Sequence, residues 1–375
     1  MLYKRGADMR LRKRKRIKNK LRILLAVSCT GLAVFCFVAR IPSAPLKSGN
    51  DIELIAAKTV LPGGSTPQSK DKSYDEDDVL KLSGKKSDSC VSEVTSSTNT
   101  ESVQVDIDDT NHEGEKTYKI NESQFGASGM KYDNFYVKNT TNFDLNIGEF
   151  LSQTPDVSNV TSESPKVLIL HTHTTESYMD LDQGFYYESF YPRSSDDSKN
   201  VTQVGNAIAE NLEKAGIGVV HDITHHDEPS YNGSYARASE TIEKNLNMYP
   251  SIQVVLDIHR DAIGNNESGK VKPTFISNGK KAAQIMILAG CDTDGSLGFP
   301  DWQYNLRLAL RLQQTAETMF PGITRAMSFG EFRYNMNYTH GSILIEVGTD
   351  GNTLEEAVYS GSMVGKALAE VLLKI

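Results

Sequence analysis

Five short aliphatic runs, Val167 to Leu170, Gly218 to His221, Gln253 to Ile258, Gln284 to Ala289 and Ser342 to Val347, recur from residue 167 onward with helical patterns between them. Val201, Val204, Ile208 and Leu212 repeat at three- and four-residue steps and stop at Ala215-Gly216, where glycine suits a helix C-terminus. Trp302 to Phe320 and Thr353 to Leu373 read as two further amphipathic helices. Strands alternating with helices predict an α/β fold: a mainly parallel sheet flanked by helices on both faces, with functional groups gathered beyond the carboxyl ends of the strands.

Those ends carry metal-type chemistry. The first run is followed at once by His171-Thr172-His173-Thr174-Thr175-Glu176-Ser177, the third ends in His259, and the fifth ends in Glu346. A catalytic zinc takes about three His or carboxylate ligands and leaves a position for water, and a further free carboxylate nearby can serve as general base. In an extended chain His173 would lie on the same face as His171 but roughly 7 Å further along, too far to share one ion unless the loop curls back. Asp257, two residues before His259, could hold that imidazole's second nitrogen or cap a loop. His221, His225 and His226 read as a polar loop or an accessory metal site, and Arg260 with Asp261 as an ion pair or a carboxylate-binding pair.

The rest of the chain is of another kind. Residues 1–22 hold eleven Lys or Arg against Asp8 alone, a net +10, which leaves −18 on the other 353 residues of a chain whose total is −8. The seventeen residues Ile23 to Ala39 that follow are uncharged and mostly apolar, at the short end of a bilayer span. This order predicts a basic cytoplasmic tail (1–22), an uncleaved single-pass anchor (23–39) in the cell membrane, and an extracytoplasmic remainder. Residues 40–130 are dominated by Ser, Thr, Asp, Glu, Lys, Asn and Gly and predict a flexible linker, leaving 131–375 as the catalytic domain. Cys29 and Cys36 fall in the apolar stretch, so Cys90 and Cys291 are too few for a disulfide framework or a Cys-type zinc site.

Four segments, His171-Thr-His-Thr-Thr-Glu-Ser-Tyr178, Tyr231-Asn-Gly-Ser-Tyr235, Leu256-Asp-Ile-His259-Arg-Asp-Ala262 and Ile343-Leu-Ile-Glu346-Val-Gly348, occur in that order. Together they resemble the stage II sporulation protein P family of membrane-anchored peptidoglycan hydrolases, over roughly residues 130 to 375. The resemblance implies a Zn2+-dependent N-acetylmuramoyl-L-alanine amidase-like hydrolase, acting in engulfment during sporulation on the amide between N-acetylmuramic acid and the L-alanine of the stem peptide. It also implies cross-link endopeptidase activity, and sporulation proteins D and M as partners besides peptidoglycan itself. Carried over by position, His171 and His259 match zinc ligands and Glu346 the general base. The third ligand falls to Glu176, with Asn200 and His173 as alternatives, because a carboxylate is a far better zinc ligand than an amide. Two rival readings keep the fold but change the chemistry: a metallopeptidase that cuts only cross-links, and a wall-binding domain without activity.

Overall fold

The computed structural model describes residues 112, 114–161 and 164–375. The basic tail, the apolar stretch at 23–39 and most of the expected linker lie outside them; among the described residues, no helix is long and apolar enough to cross a membrane. The last part of that linker is folded. Thr117–Ser123 forms strand β1, paired in parallel with β9 (Gly269–Ser277) and antiparallel with β5 (Phe185–Tyr187). The folded unit therefore begins ahead of residue 131. Its polar sequence conceals the strand because half of it faces solvent and pairing, not burial, fixes it.

The principal sheet has eight strands. Its order is β2 (Met130–Tyr132), β3 (Phe135–Asn139), β12 (Met327–Glu331), β11 (Ile285–Cys291), β13 (Gly341–Thr349), β7 (Val254–Asp261), β4 (Val167–Leu170) and β6 (Val219–His221). Only the β2–β3 and β11–β13 pairs are antiparallel, so the sheet is mainly parallel, as the alternation of elements predicts. A second sheet, β10 (Lys280–Ala283)–β9–β1–β5, with β8 (Gly264–Asn265) also on β9, has no counterpart in the sequence expectation.

The helices are α1 (Ile147–Ser152), α2 (Thr202–Lys214), α3 (Ser234–Met248), α4 (Trp302–Met319) and α5 (Leu354–Leu373). The two-residue period of β4 divides its side chains between two cores. Val167 and Ile169 join the large core with Val204, Ile208 and Leu212 of α2, while Leu168 and Leu170 join a smaller one with Ala238 and Ile242 of α3. Covered on both faces, β4 is apolar at every position. Two expected termini match: α2 ends in paired Gly216 N–H to Glu213 and Ile217 N–H to Leu212 bonds with Gly216 at φ +79°, and Thr353 and Glu356 form a reciprocal capping box on α5.

Two strand ends differ from expectation. β7 continues past His259 to Asp261, and β13 past Glu346 to Thr349, because Thr349 and Asp261 keep pairing after a register shift. Gly348, at φ +68°, occupies that irregularity. His259 and Glu346 are thus inside strands, side by side in register, and not beyond their ends.

Candidate active site

The imidazoles of the HTHTTES run part company. The alternation that sends Ile169 into the α2 core sends His171 the same way, whereas Asp257 and His259 share the opposite face with Val255. His171 is fully buried: its Nδ1 donates to Ile258 O at 2.8 Å and its Nε2 lies 2.9 Å from His221 Nε2. His221 Nδ1 in turn lies 3.0 Å from the Asn206 side-chain amide. Burial, then the neighbouring His221, drives the His171 pKa down to about 3, and burial takes His221 down to about 4, so both rings are neutral. This pair is packed under α2, where Gly205 leaves it room: a Cβ there would stand 2.4 Å from His221 Nε2 and 2.8 Å from His171 Nε2. Gly205→Ala is therefore expected to lower stability, at the upper end of the roughly 1–3 kcal/mol typical of overpacking and against the ~1 kcal/mol that Ala gains as a helix former. Thermal melting checks it, and a melting temperature at or above wild type would refute it.

On the other face, the loop after β4 curls back. Glu176 N–H bonds to His173 O at 3.0 Å and the Thr174 hydroxyl to His171 O at 2.8 Å, forming a turn where an extended chain would have carried His173 away. The turn sets the His173 ring 5.3 Å from the His259 ring, nearly perpendicular to it, and stacks its own face on Tyr231 at 4.3 Å. Glu176 joins them: Oε2 lies 3.7 Å from His259 Nδ1 and accepts from the Arg260 backbone at 3.0 Å. His171, expected as a ligand, is thus placed under α2 against His221 and Ile258 O. The residue beside His259 and Glu176 is His173, which an extended-chain argument had set aside.

The remaining candidates take definite places. His259 Nε2 lies 2.9 Å from Asp257 Oδ1, and Asp257 also accepts from Thr172 N (2.8 Å) and the Thr172 hydroxyl (2.6 Å). Burial opposes charge on both, but their mutual attraction prevails and holds the imidazole up at about 10 and the carboxyl down at about 2. Asn200 accepts from Thr202 N–H and hydroxyl, an N-terminal turn for α2 that occupies its carbonyl oxygen. Arg260 is spent on Ser177 O and Pro192 O, and Asp261 pairs with Arg325 at 2.8 Å instead. The three histidines 221, 225 and 226 diverge. His221 meets His171, His225 meets Asp197 and Glu228, and His226 meets His171 O and Thr241.

Glu346 is the buried neighbour of His259 on β13, and its Oε2 has no hydrogen-bond partner among the described residues. Burial raises its pKa, the charge of His259 and then that of Arg325 oppose the rise, and the nearby Asp261 and Glu176 add to it, leaving it at about 8. An orphaned carboxyl oxygen poised near neutrality can take or give a proton. Sequence reasoning passed over Arg193, which bonds Asp227 at 2.8 Å, lies 3.9 Å from Glu176 Oε1 and covers the Tyr231 ring at 4.6 Å. It opens the polar stretch Ser194 to Asn200, which has no periodic signal.

Two clefts flank this cluster. A wide one of about 820 Å³ runs past Thr175, Tyr191, Arg193, Asp227 and Tyr231. A narrow one of about 190 Å³ has Glu346 in its wall. Among the described residues, no group of three or more His, Cys, Asp or Glu side chains is drawn together closely enough to hold a metal. Donor type and number nevertheless fit zinc: two imidazoles and a carboxylate, of which the Glu176–His259 pair at 3.7 Å is near the roughly 3.3 Å that two ligands of a tetrahedral ion keep.

A family model described as stage II sporulation protein P matches residues 53–372. The stage II sporulation protein P of Bacillus subtilis (strain 168) is 26% identical over 247 residues, which make up 61% of this chain and 58% of that protein. The match thus spans less than two thirds of that relative's length. Among solved structures, the N-acetylmuramoyl-L-alanine amidase AmiC2 of Nostoc punctiforme is similar at 16% identity and TM-score 0.35, over 57% of this chain and 97% of that one. The N-acetylmuramoyl-L-alanine amidase from Clostridium difficile 630 is similar at 18% identity and TM-score 0.32, over 57% and 97%.

Proposed function

Since this chain belongs to the stage II sporulation protein P family, we propose that it hydrolyses peptidoglycan in sporulation, cutting the amide between N-acetylmuramic acid and the L-alanine of the stem peptide. The observation that carries this reading is the meeting of His173, Glu176 and His259 with the unpartnered Glu346 on one face of the sheet, between two clefts. His173, Glu176 and His259 would hold Zn2+. A zinc ion in such a site supplies Lewis acidity, lowering the pKa of a water to about 7 and polarising a carbonyl.

The chain's own groups do the rest. Glu346 Oε2 takes a proton from the attacking water as the new C–O bond forms, and returns it to the departing amine nitrogen as the C–N bond breaks. Asp257 lies against the far nitrogen of the His259 ring as a charged neighbour, and the Arg260 backbone N–H bonds Glu176 and orients it without substrate. Arg193 and Tyr231 brace Glu176 and His173 from the wide cleft. The reading places the folded unit outside the cytoplasmic membrane, anchored through residues 23–39, with sporulation proteins D and M as partners.

Digestion of purified sacculi tests it. The full-length chain is expected to release stem peptides ending in a free L-alanine amine, and a chelator to stop release until zinc is restored. Fragments cut only between peptides, seen by mass spectrometry, would replace the amidase reading with a cross-link endopeptidase.

A further inference from the structure

The narrow cleft beside Glu346 has a floor, walls and a charge at its far end. Its floor is the face of β11, β12 and β3 opposite α4 and α5. Met286 stands level with Glu346 across the β11–β13 pair, and Leu288, Ser328 and Lys138 stand level with one another across the next three strands. Met286 and Ser328 are only partly buried and Lys138 is exposed. Phe125, Phe332 and Tyr334 border this floor and complete the cleft. Arg325 also lines it, but its charge is committed to Asp261 at 2.8 Å. Lys138 makes no hydrogen bond or ion pair among the described residues.

We infer that this cleft receives the peptide half of the substrate, with Lys138 binding a carboxylate about three residues beyond the cleaved amide. The inference rests on the amidase reading, since Glu346 marks where the cleaved bond lies. Lys138 is three strands across from Glu346, roughly 14 Å at about 4.8 Å per strand, and two residues along, about 7 Å more, so their backbones are roughly 16 Å apart. Less about 6 Å for the reach of the two side chains, roughly 10 Å remains, which an extended peptide covers in about three residues at about 3.3–3.6 Å each. The apolar floor of Met286 and Leu288 and the Phe332 border suit aliphatic parts of such a peptide. A free ammonium at its end selects acidic peptides over neutral ones, because an exposed charge adds attraction that its partner's amide cannot replace.

Binding to the full-length chain carrying Glu346→Gln separates this from catalysis. The probes are an N-acetylmuramoyl tetrapeptide with free side-chain carboxylates at its second and third residues, and the same compound with both amidated. Adding Lys138→Glu is expected to weaken the acidic probe at least about tenfold by calorimetry and the amidated probe less than about twofold, with Lys138→Gln intermediate and melting temperatures unchanged. Equal loss for both probes, no loss for either, or no measurable binding of the acidic probe before Lys138 is changed, overturns the inference. Sacculus digestion by the unmodified chain reports on the amidase reading alone: charge-dependent binding without digestion sinks that reading, and digestion without charge-dependent binding sinks this one.

Discussion

Glu346→Gln is expected to lower amide hydrolysis by about 10²–10⁴-fold, the usual worth of a positioned acid–base group, while leaving the fold and zinc content as in wild type. The amide fills the same volume, and Oε2 has no hydrogen-bond partner to lose, so the substitution removes proton transfer with little else. It also relieves a buried group whose ionised form is disfavoured, so the melting temperature should hold or rise. The measurement is turnover on sacculi alongside zinc stoichiometry. Turnover within tenfold of wild type would remove Glu346 from the mechanism, since no other described carboxylate beside His259 lacks a partner in the same way.

The second large effect is a contrast between two histidines separated by one residue. His173→Ala should abolish zinc retention and reduce turnover by more than about 10²-fold as its main effect, beside a loss of stability from deleting a buried ring stacked on Tyr231. His171→Ala should do the reverse. It deletes a ring with no exposure, opens a cavity under α2 and leaves His221 Nε2 unpaired, costing about 2–4 kcal/mol. Any protein that folds should still bind zinc. Zinc content and melting temperature measured on both variants decide the matter: loss of zinc in His171→Ala with a wild-type melt would restore His171 as the ligand and remove His173.

Much of the fold was legible from residue 167 onward because buried parallel strands are uninterrupted aliphatic runs and their helices carry a clear stripe. β4, β6, β7, β11 and β13 fall where Val167, Gly218, Gln253, Gln284 and Ser342 begin their runs. Helix α3 was not, since its buried stripe includes Ser234, Thr241 and Asn245 besides Ala238 and Ile242, and reads as polar. The second sheet was illegible for the same reason: Lys, Ser and Asn outnumber aliphatics in β1, Lys equals Ala in β10, and long-range pairing carries no local pattern. Within the site, sequence spacing identified the residues but not their faces. His171 and His173 look equivalent along an extended chain, and only the turn that bonds Glu176 to His173 O tells which reaches His259.

Strand β1 has a mechanical consequence. Hydrogen-bonded to β9 along one edge and β5 along the other, it is the first regular element the described chain enters. Tension arriving from the amino-terminal side would pull β1 along its own length, loading both rows of bonds together in shear, whereas a strand at a sheet's rim would unzip one bond at a time. A pull arriving ahead of Thr117 would meet both pairings before it reached the cluster around His173 and Glu346.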